Sequence, residues 1–284
     1  MTVTASDGFT YRVADTHCHV YKQKIAAKAS DAIGAFYDKA PFNVKMYDEN
    51  PTPQEMLDRA TKVGVDRFLV FSVATKASQV SGINEFIAEQ VAAHPEFIGL
   101  GTAHQDCEDF GAVLDEVERL GLQGIKLHPD MQKFNLDDPR MMPLYRGAAE
   151  RGLTMLFHVG DERYDYSAPE RLARVMDAIP DLKVHAAHFG CCRIWDRRPV
   201  VMAAQVLKGA NVAFDTSSTL KWAPKDVVLY LIDQLGIDHI MWGTDFPMWS
   251  PSDEIERFLA LGLSHEDNQK VFYDNFARFY HVED

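Results

Sequence analysis

Basic residues are scarce in this sequence. Lysine and arginine number 29 against 42 aspartates and glutamates, which leaves a formal net charge of −13 at pH 7. A protein that binds nucleic acid needs clustered basic side chains to neutralise phosphate groups. The charge balance therefore argues against a nucleic-acid partner, although a local basic cluster could still hold a small anion.

Cysteines and long apolar runs are also scarce. The four cysteines form no C-x-x-C pair, so free thiols in a reducing compartment are expected, not disulfides or a structural zinc site. No segment approaches the roughly 20 apolar residues that span a bilayer. The N-terminal stretch MTVTASDGFTYRV lacks the basic and apolar regions of a signal peptide. We expect a cytoplasmic protein without a membrane partner.

Short apolar runs recur at regular intervals along the chain. Each is about one strand long and nearly continuous in apolar residues, which is typical of parallel strands covered on both faces. The runs are YRVAD, DRFLVFSV, FIGLGTAH, LQGIKLHP, LTMLFHVG, LKVHAAHFG, NVAFDTSS and HIMWGTDFP.

Amphipathic helical patterns lie between these runs. They include DFGAVLDEVERLG, which Gly121 should end, APKDVVLYLIDQLG, and SHEDNQKVFYDNFARFY, which Ser264 should cap. The G-x-G-x-x-G loop of a doubly wound sheet is absent. Eight strand–helix units therefore predict a single (β/α)₈ TIM barrel domain over 1–284. We expect the irregular stretch 41–53 to be an extended loop or lid.

Polar side chains follow most of the predicted strands. Barrel enzymes build their sites at the C-terminal ends of the strands, so these positions carry functional weight. His17 and His19 are two residues apart and should point to the same side of their strand, while Cys18 points away. The other polar strand-end residues are His104, Lys126, His128, His158, His188, Asp215 and Asp245.

Four of these residues would form a metal-binding shell. The His17–His19 pair, a histidine after strand five and an aspartate after strand eight give a His₃Asp donor set that suits zinc, and also manganese or iron. A lone histidine at a strand end is more often a hydrogen-bonded core residue than a ligand. Ligand-type side chains at several independent strand ends instead favour a metal site.

The motifs DTHCH, GIKLHP, FHVG, HAAHFG and WGTDFP, in this order and spacing, resemble the amidohydrolase superfamily. The resemblance is to its amidohydrolase-2 branch, which includes aminocarboxymuconate-semialdehyde decarboxylase, related decarboxylases, and lactone and amide hydrolases. It extends to the closing DNFARFY helix. It implies a barrel with a catalytic divalent metal, and its decarboxylases imply a homodimer.

The resemblance also assigns roles to individual residues. The metal ligands would be His17, His19, His158 and Asp245, with Asp245 also accepting a proton. His188 would act as the acid/base, or would bind a second ion. One ion is favoured, with Zn²⁺ ahead of Mn²⁺ or Fe²⁺, and two ions are not excluded. By the same resemblance, Lys126 would either be carboxylated and bridge two metals or stay an unmodified cation that holds a substrate carboxylate. With His188, the strand-end His128 and the loop residue Arg193, it completes the candidates for binding a second metal or the substrate.

Two reactions fit this predicted site. We expect hydrolysis of a lactone, an amide or a similar carbonyl by a metal-activated water. The alternative is non-oxidative decarboxylation of an aromatic or muconate-type acid, with His188 or Asp245 as the proton donor. In either reaction the expected partner is a small organic substrate.

The loops after strands five and six suggest that the substrate is anionic. Four of their arginines could hold a carboxylate, or could pair with nearby aspartates on a solvated rim. These are Arg163, Arg193, Arg197 and Arg198. The residues expected to wall an apolar pocket are Trp195, Trp222, Trp249 and Phe246.

Overall fold

The computed structural model describes residues 2–38, 43–161, 163–191 and 211–282. A short antiparallel hairpin, β1 with β2, precedes a set of parallel strands. The strands are β1 Val3–Thr4, β2 Thr10–Tyr11, β3 Ala14–His19, β4 Arg67–Phe71, β5 Phe97–Gly99, β6 Gly101–Thr102, β7 Gly124–Leu127, β8 Thr154–Phe157, β9 Lys183–Ala186, β10 Val212–Asp215 and β11 Ile240–Met241.

Helices follow the parallel strands. The α-helices are α1 Gln23–Tyr37, α2 Pro53–Ala60, α3 Val80–Ala93, α4 Phe110–Arg119, α5 Pro129–Gln132, α6 Met142–Glu150, α7 Pro169–Ala178, α8 Thr219–Trp222, α9 Lys225–Leu235, α10 Pro251–Leu259, α11 His265–Gln269 and α12 Asn275–Tyr280. A π-helical turn, Lys270–Asp274, joins α11 to α12. Short 3₁₀ turns occur at Thr61–Val63, Ala77–Gln79, His188–Gly190 and Ile237–His239. Among the described residues, no helix has the length and apolar character needed to cross a bilayer.

The parallel strands form a TIM barrel, as the sequence predicts. Strands β3 to β5 pair in chain order, and so do β6 to β11. β5 and β6 are two halves of one strand, interrupted at Leu100, whose N–H donates to Val70 O over 3.0 Å. Between the last and first strands, His19 N donates to Phe246 O over 2.8 Å. These bonds connect the two sets into one barrel of eight parallel strands, with β5 and β6 counted as one. The predicted (β/α)₈ architecture is confirmed.

The C-terminal segment helps to fill the inside of the barrel. Most barrel strands contribute at least one side chain to a buried cluster with Tyr273, Phe276 and Tyr280. Neighbouring strand residues, such as Phe68 and Val70, belong to the larger cluster between strands and helices. This alternation follows from the two-residue period of a strand. The last helix therefore forms part of the core.

The helices expected from the sequence patterns are confirmed. In α4, the Asp109 side chain accepts a hydrogen bond from Ala112 N over 3.0 Å and so caps the helix start. The chain turns away after α4 at Gly121, where φ is +69°. At α11, Ser264 Oγ accepts from Asp267 N over 3.1 Å.

The segment after the first barrel strand differs in part from the expected loop. Residues 43–52 have no helix or strand, and 41–42 lie outside the described residues. Helix α1, Gln23–Tyr37, forms most of this segment, although the sequence patterns did not single it out. Its Ile33 and Tyr37 pack with Val44 and Met248. Helix α1 therefore lies over the end of the barrel where the candidate site residues are found.

Gly124 gives a test of the strand packing. A Cβ at this position would lie 2.0 Å from Thr154 O of the neighbouring strand. We expect Gly124→Ala to lower the free energy of unfolding by more than about 3 kcal/mol, because backbone must move to accommodate it. Urea denaturation would measure the change. The control is Gly82→Ala in α3, where a Cβ meets nothing within 4 Å and a gain of about 0.5 to 1 kcal/mol is expected. Equal effects in the two variants would contradict the prediction.

Candidate metal centre and active site

The two histidines of DTHCH converge on one carboxylate. His17 Nε2 lies 3.4 Å from Asp245 Oδ1, and His19 Nε2 lies 3.6 Å from the same oxygen. Cys18 is buried and its Sγ lies 3.8 Å from Asp15 O, so it does not join the pair. The ends of the first and last strands therefore present two imidazoles and a carboxylate together.

Two further imidazoles lie next to this group. His188 Nε2 is 3.0 Å from His158 Nδ1, and the His158 ring stacks on His128 with ring centroids 3.8 Å apart. The side chains of His17, His188 and Asp245 have ligand atoms within 4.8 Å of one another. His158 instead belongs to a second such group, with His128 and Asp130.

The predicted four-ligand set is thus only partly assembled. His17, His19 and Asp245 meet as expected, while His158 is connected to them through His188. The unbonded Nε2 of His158 faces Asp130 Oδ2 at 3.7 Å. The ligand role of His158 stays a prediction.

Lys126 lies beneath the histidines, away from the cavity above them. Its side chain is fully buried, and its Nζ is 3.3 Å from His17 Nε2. Burial lowers the pKa of Lys126 to about 8. Lys126 is not among the residues that line the cavity, so direct contact with substrate has no support in this arrangement. Its predicted role in a second metal site stays a prediction.

One buried carboxylate, Asp215, organises the cluster. Its Oδ2 accepts from His17 Nδ1 over 2.8 Å and lies 2.9 Å from His185 Nε2. Its Oδ1 accepts from His188 N over 3.0 Å and from Ser217 N over 3.1 Å. Burial alone would raise the pKa of this carboxyl, but the histidine contacts hold it well below its usual range. With His17 Nδ1 occupied in this way, Nε2 is the nitrogen that faces Asp245 Oδ1 at 3.4 Å and Lys126 Nζ at 3.3 Å.

Several site residues adopt left-handed backbone conformations that non-glycine residues rarely take. The φ angles are +59° at His188, +58° at Ser218 and +62° at Asp245. Such strain concentrates at functional sites, where surrounding contacts hold it. Ser218 Oγ donates to Asp245 Oδ2 over 2.6 Å, and Trp249 Nε1 donates to that hydroxyl over 2.8 Å. These bonds fix the orientation of the Asp245 carboxylate.

The electrostatics favour neutral imidazoles in this cluster. Burial lowers the pKa of His17 to about 4, and it lowers the pKa of His19, His128 and His158 well below the usual value. Neutral imidazole is the form that binds metal ions. Within the described residues, no hydrogen-bond partner reaches the buried atoms His19 Nδ1 or His158 Nε2. The donor set fits a divalent cation.

A cavity of about 660 Å³ lies above the cluster. His17, His19, His158, His188 and Asp245 line it, together with residues of α1 and neighbouring loops. Its wider walls include the aromatic side chains of Tyr21, Phe36, Tyr37 and Phe86. The volume is in the range of sites for small organic ligands.

The arginines that were expected to hold a substrate carboxylate are only partly described by the structure. Arg163 donates to its neighbour Asp161, with NH2 2.7 Å from Oδ2, and also to Phe36 O. It therefore follows the alternative of an arginine paired with a nearby aspartate. The other members, Arg193, Arg197 and Arg198, lie outside the described residues.

The predicted aromatic wall is also rearranged. Phe246 is buried and does not line the cavity. Trp222 and Trp249 meet edge to face 5.9 Å apart, beside a smaller pocket that Trp222 helps to line. Trp195 lies outside the described residues.

The family model described as amidohydrolase matches residues 14–282, which include the whole barrel. The chain belongs to the amidohydrolase family. This confirms the resemblance drawn from the motifs.

A curated relative and solved structures add detail. This amidohydrolase is 29% identical over 133 residues to 2-amino-3-carboxymuconate-6-semialdehyde decarboxylase of Dictyostelium discoideum. That match covers 38% of this chain and spans 36% of the relative's length. The aligned part is thus about a third of either protein.

Two solved structures share the fold. One is 5-carboxyvanillate decarboxylase from Sphingomonas paucimobilis, with a TM-score of 0.71, 19% identity, and coverage of 96% of this chain and 99% of that one. The other is 5-carboxyvanillate decarboxylase from Novosphingobium aromaticivorans, complexed with manganese and 4-hydroxy-3-methoxy-5-nitrobenzoic acid. It has a TM-score of 0.71 and 18% identity, and covers 99% of this chain and 98% of that one.

Sequence reasoning overlooked two buried residues that support the site. His185 lies between two buried groups, with Nε2 2.9 Å from Asp215 Oδ2 and Nδ1 2.9 Å from Tyr280 Oη. Asp15 accepts from His17 N over 3.1 Å and from Thr244 Oγ1 over 2.6 Å, and burial raises its pKa to about 6. The sequence signal that could have identified them is their position within the HAAH and DTH motifs.

Asp215→Asn tests the organising carboxylate. An amide keeps only one acceptor oxygen, so it cannot accept from His17 on one side and from the backbone N–H groups of His188 and Ser217 on the other. We expect the dissociation constant for a divalent cation to rise about 10- to 100-fold, as measured by competition with a chelating dye. The control is Glu254→Gln, which alters a buried carboxylate that pairs with Arg257. Unchanged cation affinity in Asp215→Asn would contradict the assignment.

The buried histidines predict acid sensitivity of the metal-free protein. Their folded pKa values lie below the value of about 6.5 in an unfolded chain, so the unfolded state binds more protons as pH falls from about 6.5 to 4. Folding stability should therefore decrease through that window. Five histidines act in this direction: His17, His19, His128, His158 and His185.

Three buried carboxyls oppose this effect. Burial raises the pKa of Asp15 to about 6, and of Asp130 and Glu254 to about 7. They bind protons more readily when folded, which stabilises the fold at low pH. Because the histidines outnumber them, we expect a net loss of about 2 kcal/mol between pH 7 and 5. Urea titrations at the two pH values would measure it, and equal or greater stability at pH 5 would refute it.

Proposed function

We propose that this amidohydrolase is a metal-dependent, non-oxidative decarboxylase of a small aromatic or muconate-type carboxylic acid. The observation that carries the proposal is the group of buried imidazoles and one carboxylate on the floor of an aromatic-walled cavity. The partial match to a muconate-type decarboxylase supports the reaction class. The flat ring systems of such acids suit walls that contain Phe36 and Phe86.

The metal ligands in this proposal are His17, His19, Asp245 and His158. The first three already face one another, and His158 is adjacent through its bond to His188. When bound, a divalent cation supplies Lewis-acid polarisation of a substrate oxygen. Zinc is the ion expected from the sequence. Manganese, which accompanies one structural neighbour, is the other ion to test.

His188 is the proposed proton donor. Its Nδ1 donates to Ser217 O over 2.9 Å, so Nε2 is the nitrogen that faces the cluster. In its imidazolium form His188 carries a second proton on Nε2, and breaking that N–H bond would form a C–H bond at the ring carbon that bears the carboxylate. The C–C bond to the carboxylate then breaks, its electron pair returns to the ring, and CO₂ leaves. Each turnover consumes one proton, which solvent water returns to His188, while Asp245, which Ser218 holds in place, stays a proposed metal ligand.

Hydrolysis, which the sequence alone favoured, is less well supported. Both reactions can use the same donor set, and hydrolases also occur in the family. The curated relative and the two structures described above are decarboxylases, although the structures establish the fold alone. Hydrolysis is therefore an alternative outcome of the assay.

The deciding experiment is a substrate screen with two readouts. Protein loaded with Mn²⁺ or Zn²⁺ would be offered hydroxybenzoic, carboxylated methoxybenzoic and muconate-type acids, with CO₂ release recorded. Lactones and N-acyl compounds would be tested in parallel. We expect CO₂ from at least one acid. Turnover confined to lactones or amides would reject the decarboxylase proposal.

Mutation can distinguish the proposed roles of His158 and His188, whose imidazoles contact each other. We expect His158→Gln to lose the metal. His188→Gln should keep it, while kcat falls about 10²- to 10⁴-fold, because a proton donor is removed. Metal content by mass spectrometry and kcat by CO₂ release would measure both effects. His94→Gln, in the turn after α3, is the control. Full metal occupancy in His158→Gln would show that this ligand assignment is wrong.

The remaining assignments are also proposals. The family match over 14–282 supports one domain. A homodimer, a cytoplasmic location and the absence of a nucleic-acid partner stay predictions from the sequence.

A further inference from the structure

The cavity lining has an unusual charge. Four lysines line it, Lys22, Lys24, Lys28 and Lys133, while Asp245 is the only acidic residue among the described residues of the lining. The whole chain carries a net charge of −13. An excess of positive charge at the cavity is thus opposite to the average of the protein.

These lysines also lack acidic neighbours. Among the residues that the structure describes, no carboxylate forms an ion pair with any of the four. Cations elsewhere on the chain are commonly paired, as Lys270 is with Asp238 and Arg171 is with Asp137. Lys24, Lys28 and Lys133 are solvent-exposed and Lys22 is half-buried, so their ammonium groups are free to contact an anionic ligand in the cavity.

Helix α1 places three of the four lysines. Lys24 and Lys28 are four residues apart, so they lie one turn apart on the same helix face. Lys22 directly precedes the helix, and its Nζ lies 5.5 Å from the centre of the Phe86 ring. The first turn of α1 contains no acidic residue, so nothing offsets the positive end of the helix dipole there.

The other end of α1 is fixed over the proposed active site. Tyr37 Oη lies 2.9 Å from His128 Nε2, and Arg163 donates to Phe36 O. These contacts anchor the C-terminal turn near the histidine cluster. The lysines lie in the first turns of the same helix, on another part of one continuous cavity.

We propose that Lys22, Lys24, Lys28 and Lys133 form a subsite for a second anionic group of the substrate, away from the proposed metal centre. The inference rests on the proposed function, because it takes the histidine cluster as the reacting end. The preferred substrates are then acids with two carboxylates, or a carboxylate and another anion. The lysines act in specificity, since they bind the part of the substrate that does not react.

Equilibrium binding of two inert acids tests the subsite. Benzoate has one carboxylate and isophthalate has two, and neither needs to be turned over. Metal-loaded protein would be titrated with each by calorimetry. We expect isophthalate to bind about tenfold more tightly than benzoate, with a preference that weakens as salt is added.

The decisive variant is Lys24→Gln/Lys28→Gln. Its affinity for isophthalate should fall about five- to tenfold, while affinity for benzoate changes little. Lys24→Arg/Lys28→Arg should retain the preference, because the charge is kept. The control is Lys62→Gln, an exposed lysine in the Thr61–Val63 turn outside the cavity.

Each outcome of the binding experiments either supports or overturns the subsite. No preference for isophthalate in the wild type, or an unchanged preference in the double glutamine variant, would overturn the subsite. A preference that follows the lysine charges would support it. Because binding is measured without turnover, failure of the CO₂ assay would reject the decarboxylase proposal and leave the binding result to stand separately.

Discussion

The site depends on a single buried carboxylate, Asp215. It accepts hydrogen bonds from the His17 imidazole and from the backbone of His188, and it lies 2.9 Å from the His185 imidazole. A buried anion is costly unless such donors surround it, and here His17 and His188 are also residues with proposed catalytic roles. The carboxylate therefore orients a proposed metal ligand and holds the proposed proton donor in its left-handed backbone conformation.

The same carboxylate connects the site to the opposite end of the barrel. His185 bridges Asp215 to the hydroxyl of Tyr280 in the last helix. All three side chains are fully buried, so their hydrogen bonds are not exchanged with bulk water. Packing of the C-terminal helix and orientation of the site are thus parts of one polar network inside an otherwise apolar core.

Helix α1 provides the other half of the functional architecture. It covers the cavity, contacts the histidine cluster through Tyr37 and presents lysines toward the space where a substrate would lie. Lys24 and Lys28 are exposed to solvent, so added salt should weaken their attraction for an anion. Reaction chemistry on the barrel and anion recognition on α1 would then be carried by separate elements.

The sequence by itself determined the barrel and most of the histidine cluster. Strand spacing and two-residue periodicity are local properties, and they sufficed to predict the strand ends and the meeting of His17, His19 and Asp245. Tertiary structure decided which partners these residues have. The Asp215–His17 hydrogen bond joins residues 198 positions apart. Arg163 pairs with Asp161, and the lysines of α1 line the cavity. Such contacts depend on how distant segments pack against one another. The local periodicity of the sequence contains no information about that packing.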